Sequence, residues 1–366
     1  MAERFRWHMP VALHFGVGCS DAFTEALGDR DAVVLAFEPA DGLGLRERWR
    51  SALGGKLRRW VVAADGLSSI ARSRELSAEV WPALGDGTVL IGLGGGTTLD
   101  LAKVLRCRPA DGSFDTIAAA LRGTSPWPAM TLAPLWLVPT TAGTGSEVTR
   151  WATVWDTDAK PPRKLSLDEA RGFAERSFVD PRLALSCPAG VTRDTALDTL
   201  AHALESLWNH HANPVSRALA VSAARSVITN LPPLLGQLDD LVLRERMSLA
   251  ALEAGMAFSQ TRTALAHALS YALTLQQGVP HGLACAMWLP TAWQLAQGRS
   301  DVSDAALAEV FDCPASVGLV HLQAWLSGLG IDTTPAAFAA LGITDVPQRI
   351  QAALDSPRGR NFIGAI

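Results

Sequence analysis

Four side chains in the second half of this 366-residue sequence are of the types that hold a divalent metal: Asp198, His202, His267 and His281. The first two lie four positions apart within Thr192–Glu205, a stretch of helical composition, so they sit one turn apart on one helix face. A carboxylate and an imidazole placed this way can share one ion. Three imidazoles and one carboxylate suit a borderline cation such as zinc or ferrous iron. The set contains no thiolate, which argues against a closed structural zinc site and for a catalytic metal with an open position. Because Asp/His pairs at helical spacing also occur on ordinary helices, the surrounding sequence has to carry the rest.

The elements that would hold these residues are helical. After about Pro188 the sequence turns into long Ala/Leu-rich amphipathic segments: 192–208, 214–231, 241–260, 263–275 and 284–297. The first half alternates instead. Apolar, β-rich runs at 32–37, 59–63, 88–93 and 135–139 are separated by helical stretches such as 45–53 and 68–84, the pattern of a parallel sheet covered on both faces. The expected fold class is therefore α/β plus all-α, an N-terminal parallel-sheet domain (1–185) followed by a helical domain (186–366).

Two segments of the first half have the chemistry of nucleotide binding. The third run leads directly into Gly94-Gly95-Gly96-Thr97, then Asp100 and Lys103. Glycines between a strand and a helix let the backbone approach a pyrophosphate, and the amides of the helix N-terminus favour its charge. The spacing is not Gly-x-Gly-x-x-Gly, so the ordinary dinucleotide fingerprint is absent. After the fourth run comes Pro139–Thr149, in which Thr140, Thr141, Thr144, Ser146 and Thr149 offer five hydroxyls around Gly143 and Gly145. Such a loop suits cofactor and substrate oxygens.

Composition narrows the partners. A net charge of −4 gives no basic footprint for nucleic acid or an anionic membrane. Hydrophobic residues at 48% and charged residues at 19% supply ample core for two domains. Five scattered cysteines with no Cys-x-x-Cys pair imply free thiols in a reducing compartment. The N-terminal ten residues lack the apolar core of a secretory signal, and the expected location is cytoplasmic.

Taken in order, these motifs resemble the iron-containing, metal-dependent alcohol dehydrogenase family, relatives of glycerol dehydrogenase and dehydroquinate synthase. Phe15–Gly18, Gly94–Lys103, Pro139–Thr149, Asp198–Glu205, Ala254–Ser259 and Pro280–Gly282 carry the resemblance. It implies a dehydroquinate synthase-like fold, with NAD or NADP on the α/β domain and one divalent metal, iron or zinc, on the helical domain. It also implies a homodimer acting on a small aldehyde or alcohol. Carried over residue by residue, the ligands fall on Asp198, His202, His267 and His281. The pyrophosphate turn falls on Gly94, Gly95, Gly96 and Thr97, with further cofactor contacts at Asp100, Lys103, Thr140, Thr141 and Thr144. Glu38, just past the first run, stands near the place of the ribose-binding aspartate.

Where many relatives have a proton-relay histidine, one turn after the third ligand, this chain has Tyr271, its only tyrosine. A phenol gives up its proton reluctantly near neutral pH, with an ordinary pKa of about 10. The segment 149–167 resembles the phosphonate-metabolism branch, so Arg150, Arg163 and Lys164 are the candidate phosphonate readers and phosphonoacetaldehyde the leading substrate. Two other readings share the motifs: a dehydroquinate synthase-like lyase, and a non-catalytic binding protein of the same fold.

Overall fold

The computed structural model describes residues 4–64 and 66–364. The chain forms two compact units. One comprises Pro10–Thr141 and Ser146–Ala184; the other takes Ala142–Gly145 and everything from Leu185 onward, together with the described residues before Pro10.

The first unit is built on a six-stranded parallel sheet. Its strands are β1 (Ala12–Phe15), β2 (Ala32–Phe37), β3 (Leu57–Ala63), β4 (Val89–Gly94), β7 (Leu135–Pro139) and β10 (Arg176–Val179), in spatial order β1-β10-β7-β4-β2-β3. Between β4 and β10 the chain also forms two antiparallel two-stranded sheets: β5 (Cys107–Pro109) with β6 (Met130–Leu132), on either side of a helix, and the hairpin of β8 (Trp151–Asp156) with β9 (Arg163–Asp168). The helices of this unit are α1 (Phe23–Leu27), α2 (Leu45–Leu53), α3 (Ile70–Val80), α4 (Gly96–Leu105) and α5 (Phe114–Leu121). Ala32–Ala36 in β2 and all of β4 and β7 are buried, as expected of central parallel strands with both faces covered. Gly92 in β4 lets α4 settle on the sheet. A Cβ there would lie 2.8 Å from Ala102 Cβ and 2.9 Å from Leu137 Cδ2.

The α/β plus all-α architecture is the one expected. Two strands of the six-stranded sheet escaped the sequence reading, β1 and β10, as did the four strands of the two smaller sheets. The first two have four residues each; β1 is a partly exposed edge strand, and β10 begins Arg176-Ser177, so neither shows a long apolar run. The basic segment around Arg163 and Lys164 is a strand of the β8–β9 hairpin.

Below the glycine turn lies a buried charged cluster. Lys103, fully buried, donates to Trp151 O at 2.6 Å and Thr149 Oγ1 at 3.3 Å. Asp100 accepts from Ser146 Oγ at 2.7 Å and Thr153 N at 2.8 Å. Together they pin α4 to the chain between Ser146 and Thr153. Glu147 is buried beside them, and burial pushes its carboxyl up to about 7 and the Lys103 ammonium down to about 8. Since the folded state then binds a proton on Glu147 that the unfolded chain has lost, stability falls as pH rises from 4.5 to about 7. Glu147→Gln is expected to flatten the stability profile over that window, by on the order of 3 kcal/mol at most. Denaturant unfolding of both proteins across the range checks this; parallel profiles would remove the buried acid from the account.

The second unit is helical: α6 (Ala189–Leu207), α7 (Pro214–Gly236), α8 (Leu241–Thr261), α9 (Leu265–Gln277), α10 (His281–Ala296), α11 (Asp301–Phe311), α12 (Ala315–Gly328), α13 (Pro335–Ala340) and α14 (Val346–Asp355). Local signals set the ends. Asn213 and Ser216 form a capping box at α7 with Pro214 in its first turn, and Asp240 caps α8 by accepting from Leu243 N at 3.0 Å. By length and composition α7 qualifies as a membrane span. Its Ala220, Val221, Ala224, Val227 and Leu231 are nevertheless buried in the helical core, and it packs on α6 and α8, as a core helix does.

Candidate metal centre

Three helices of the second unit bring the four expected ligands together. Asp198 and His202 lie on α6, His267 on α9, and His281 is the first residue of α10. Asp198 Oδ1 is 3.4 Å from His267 Nε2, 3.7 Å from His202 Nε2 and 3.9 Å from His281 Nε2. Asp198 Oδ1 and His267 Nε2 are buried without a hydrogen-bond partner. Unsatisfied buried donors and acceptors cost about 1–3 kcal/mol each, so a convergent set of them is explained by an ion that joins them. The donor set therefore fits a divalent metal.

The surroundings prepare these side chains for coordination. Glu205, fully buried one turn after His202, places Oε2 2.7 Å from His267 Nδ1 and accepts from the backbone N–H of Ala264 at 2.7 Å and of His267 at 3.1 Å. Burial opposes its ionisation, but His267 and these bonds hold the carboxyl below the usual range. A carboxylate at Nδ1 fixes the proton there and leaves Nε2 free for a metal. His202 is stacked between Phe258, 4.0 Å away, and His267, 4.7 Å away. Burial drops its pKa to about 4, so the ring is neutral at physiological pH and available as a ligand. His281, with 36% of its side chain exposed against 7% or less for the other three, is the accessible side of the cluster.

Glycines allow the helices to approach this closely. A Cβ on Gly282 would fall 1.8 Å from Asp194 O and 2.9 Å from Asp198 N, so the start of α10 rests on the backbone of α6. In the hydroxyl-rich loop, a Cβ on Gly143 would meet Thr195 Cβ at 2.6 Å and one on Gly145 would meet Gly255 Cα at 2.5 Å. Thr199 Oγ1 donates to Gly143 O at 3.3 Å. Ala142–Gly145 thus packs on α6 and α8, although Thr140 N bonds to Gly94 O at 3.0 Å within the sheet unit.

Tyr271, on α9, is half-buried and lies parallel to His281, with ring centroids 6.2 Å apart and Arg358 5.3 Å over its ring. One neighbour was missed by the sequence reading. Cys285, on α10, is fully buried with Sγ 3.9 Å from His281 Nε2. The signal was available, since Cys285 follows His281 at the same four-residue spacing that links Asp198 to His202.

The other candidates belong to the sheet unit, except Thr144, which lies in the Ala142–Gly145 segment of the helical unit. Gly94–Gly96 bridge β4 to the N-terminus of α4, and Thr97 lies exposed in that first turn. A Cβ on Gly94 would clash with Thr98 at 2.6 Å and Phe37 at 3.0 Å. Thr141 is half-buried, its side chain 3.3 Å from where a Gly95 Cβ would be; Glu38 opens the turn after β2 and is exposed. Asp100 and Lys103 bond to protein, as described. The three basic candidates sit on or beside the β8–β9 hairpin: Arg150 bonds Asp168 at 2.8 Å, Arg163 lies 3.5 Å from Asp156, and Lys164 is 5.9 Å over the Trp155 ring.

Residues 10–181 match the iron-containing alcohol dehydrogenase family and residues 192–316 match the C-terminal part of the same family. The chain belongs to the iron-containing alcohol dehydrogenases. All four metal-ligand candidates fall within the C-terminal match. Among relatives of this family, the probable alcohol dehydrogenase EutG of Escherichia coli is 37% identical over 205 residues, 56% of this chain and 50% of that protein. The 1,3-propanediol dehydrogenase of Citrobacter freundii is 35% identical over 203 residues, 55% of this chain and 51% of that protein. These matches span about half the length of the relatives. In fold, the sulfoacetaldehyde reductase of Bifidobacterium kashiwanohense, solved with NAD+, superposes with a TM-score of 0.87 at 23% identity, covering 99% of this chain and 95% of that one.

Proposed function

We propose that this iron-containing alcohol dehydrogenase homologue is a metal-dependent, NAD(P)H-linked reductase of small aldehydes, with phosphonoacetaldehyde the leading substrate and 2-hydroxyethylphosphonate its product. The observation that carries the reading is the Asp198 oxygen facing three imidazole nitrogens at 3.4–3.9 Å, with unsatisfied buried atoms among them. When bound, the metal supplies Lewis-acid polarisation of the carbonyl and the nicotinamide supplies the hydride.

The chain's part is binding and placement. Asp198, His202, His267 and His281 hold the ion, and Glu205 keeps His267 in the tautomer that can do so. The amides opening α4 after Gly94–Gly96 receive the cofactor pyrophosphate, with Thr97, Thr140, Thr141 and Thr144 as hydroxyl contacts and Glu38 toward the ribose. Asp100 and Lys103 act here by pinning the chain from Ser146 to Thr153. The phenol of Tyr271, parallel to His281 on the accessible side of the cluster, is the group proposed to return a proton to the product oxygen.

The substrate class is supported by the resemblance of 149–167 to the phosphonate branch and by the fold neighbour sulfoacetaldehyde reductase, whose substrate is another small aldehyde with a terminal oxyanion. Arg150, Arg163 and Lys164 are the proposed anion readers, and each would exchange its present partner for the substrate. Phosphonoacetaldehyde, sulfoacetaldehyde and propionaldehyde assayed with NADH and with NADPH test this directly. The expected result is a kcat/KM for phosphonoacetaldehyde at least about tenfold above propionaldehyde, the equivalent of one charge-assisted hydrogen bond. Equal rates on the charged and uncharged aldehydes would leave a general alcohol dehydrogenase and return the three cations to the hairpin.

A further inference from the structure

Within the metal centre, the four donors whose ligand atoms all lie within 4.8 Å of one another are Asp198, His267, His281 and Cys285. That set differs by one member from the four ligands carried over from the family. Cys285 comes one turn after His281 on α10, so its sulfur and the His281 ring face the same way. The Sγ to Nε2 distance is 3.9 Å, the same as from His281 Nε2 to Asp198 Oδ1. Metal bonds of about 2.0–2.3 Å at tetrahedral angles place donor atoms roughly 3.3–3.8 Å apart, so these separations need only a small contraction around an ion. Two atoms of this set, Asp198 Oδ1 and His267 Nε2, are buried without a hydrogen-bond partner.

We propose that Cys285 is a further ligand of the metal centre, its sulfur joining Asp198, His267 and His281 and biasing the site from ferrous iron toward zinc. The inference rests on the metal reading of the site given above. On coordination the thiol loses its proton to solvent as the metal–sulfur bond forms. A soft donor in an otherwise N/O site favours zinc over ferrous iron, because iron gains less from sulfur in such a set. His202, stacked between Phe258 and His267, remains a ligand of the same ion, with the sulfur added to the four expected donors.

Cobalt(II) reports the ligand set without any need for activity. The full-length protein, stripped of metal and loaded with cobalt, is expected to show a near-ultraviolet thiolate-to-cobalt charge-transfer band that is absent from Cys285→Ser. The other four cysteines are unchanged in that variant, so loss of the band identifies the sulfur. Zinc affinity of the variant should drop by roughly tenfold or more, at least the loss typical of removing an outer-shell partner, with a smaller change for ferrous iron. X-ray absorption at the zinc edge of the wild-type protein keeps the test independent of whether the variant folds, since a sulfur neighbour must appear at about 2.3 Å. Cobalt or zinc bound with only nitrogen and oxygen neighbours would overturn the role of Cys285 and leave the metal centre standing. Failure of the wild-type protein to bind either metal would overturn the centre itself.

Discussion

His267→Ala is expected to purify without its divalent metal and to reduce aldehydes about a thousandfold more slowly, or not measurably. His267 Nε2 lies nearest Asp198 Oδ1, at 3.4 Å, and both atoms are buried without another partner. Deleting the ring removes a ligand and leaves Glu205 as a fully buried carboxylate without its imidazole. Losing the Lewis acid forfeits several kcal/mol of transition-state stabilisation, on the order of a thousandfold in rate. Glu205→Gln separates holding the ligand from being one. It keeps a bond to His267 but weakens control of the tautomer, and a ten- to hundredfold loss of metal affinity is expected. Elemental analysis and nicotinamide oxidation read both variants. His267→Ala with full metal content and normal turnover would remove this residue from the site.

Gly282→Ala should be nearly as damaging, although the residue ligates nothing. Its Cβ would overlap Asp194 O at 1.8 Å, a backbone atom that cannot rotate away. Relief requires α10 to move off α6, and that motion carries His281 away from Asp198. Overpacking of this kind costs about 1–3 kcal/mol in stability, and a displacement near 1 Å at a reacting site can cost about a hundredfold in rate. The variant is expected to fold with a lower melting temperature, bind metal weakly and reduce aldehydes at about one per cent of the wild-type rate. A variant with unchanged metal affinity would mean that the helix contact does not set the ligand geometry.

Much of this site was legible in the sequence because its signals are local. Asp198 and His202 share a helix face, and Ala32–Phe37, Val89–Gly94 and Leu135–Pro139 are apolar along their whole length, as buried parallel strands must be. What stayed hidden depends on partners distant in sequence. Glu205 reads equally as an exposed helix residue until α9 packs against it and gives its oxygens the amides of Ala264 and His267. Cys285 reads as a buried core cysteine until His281, Asp198 and His267 converge on it. β1 and β10 are short, and pairing rather than composition makes them strands. The 149–167 segment shows the opposite case. Its basic residues suggest an anion-reading segment, but antiparallel pairing brings Arg163 beside Asp156, while Arg150 bonds Asp168.

The central claim is that Asp198, His202, His267 and His281 hold a metal on which aldehyde reduction depends. Removing divalent metal with a chelator, then restoring it stepwise as ferrous iron or zinc while following nicotinamide oxidation with a small aldehyde, tests this most directly. Activity should vanish with the metal and return in proportion to metal bound, saturating near one ion per chain. Full-rate turnover by the metal-free protein would contradict the account.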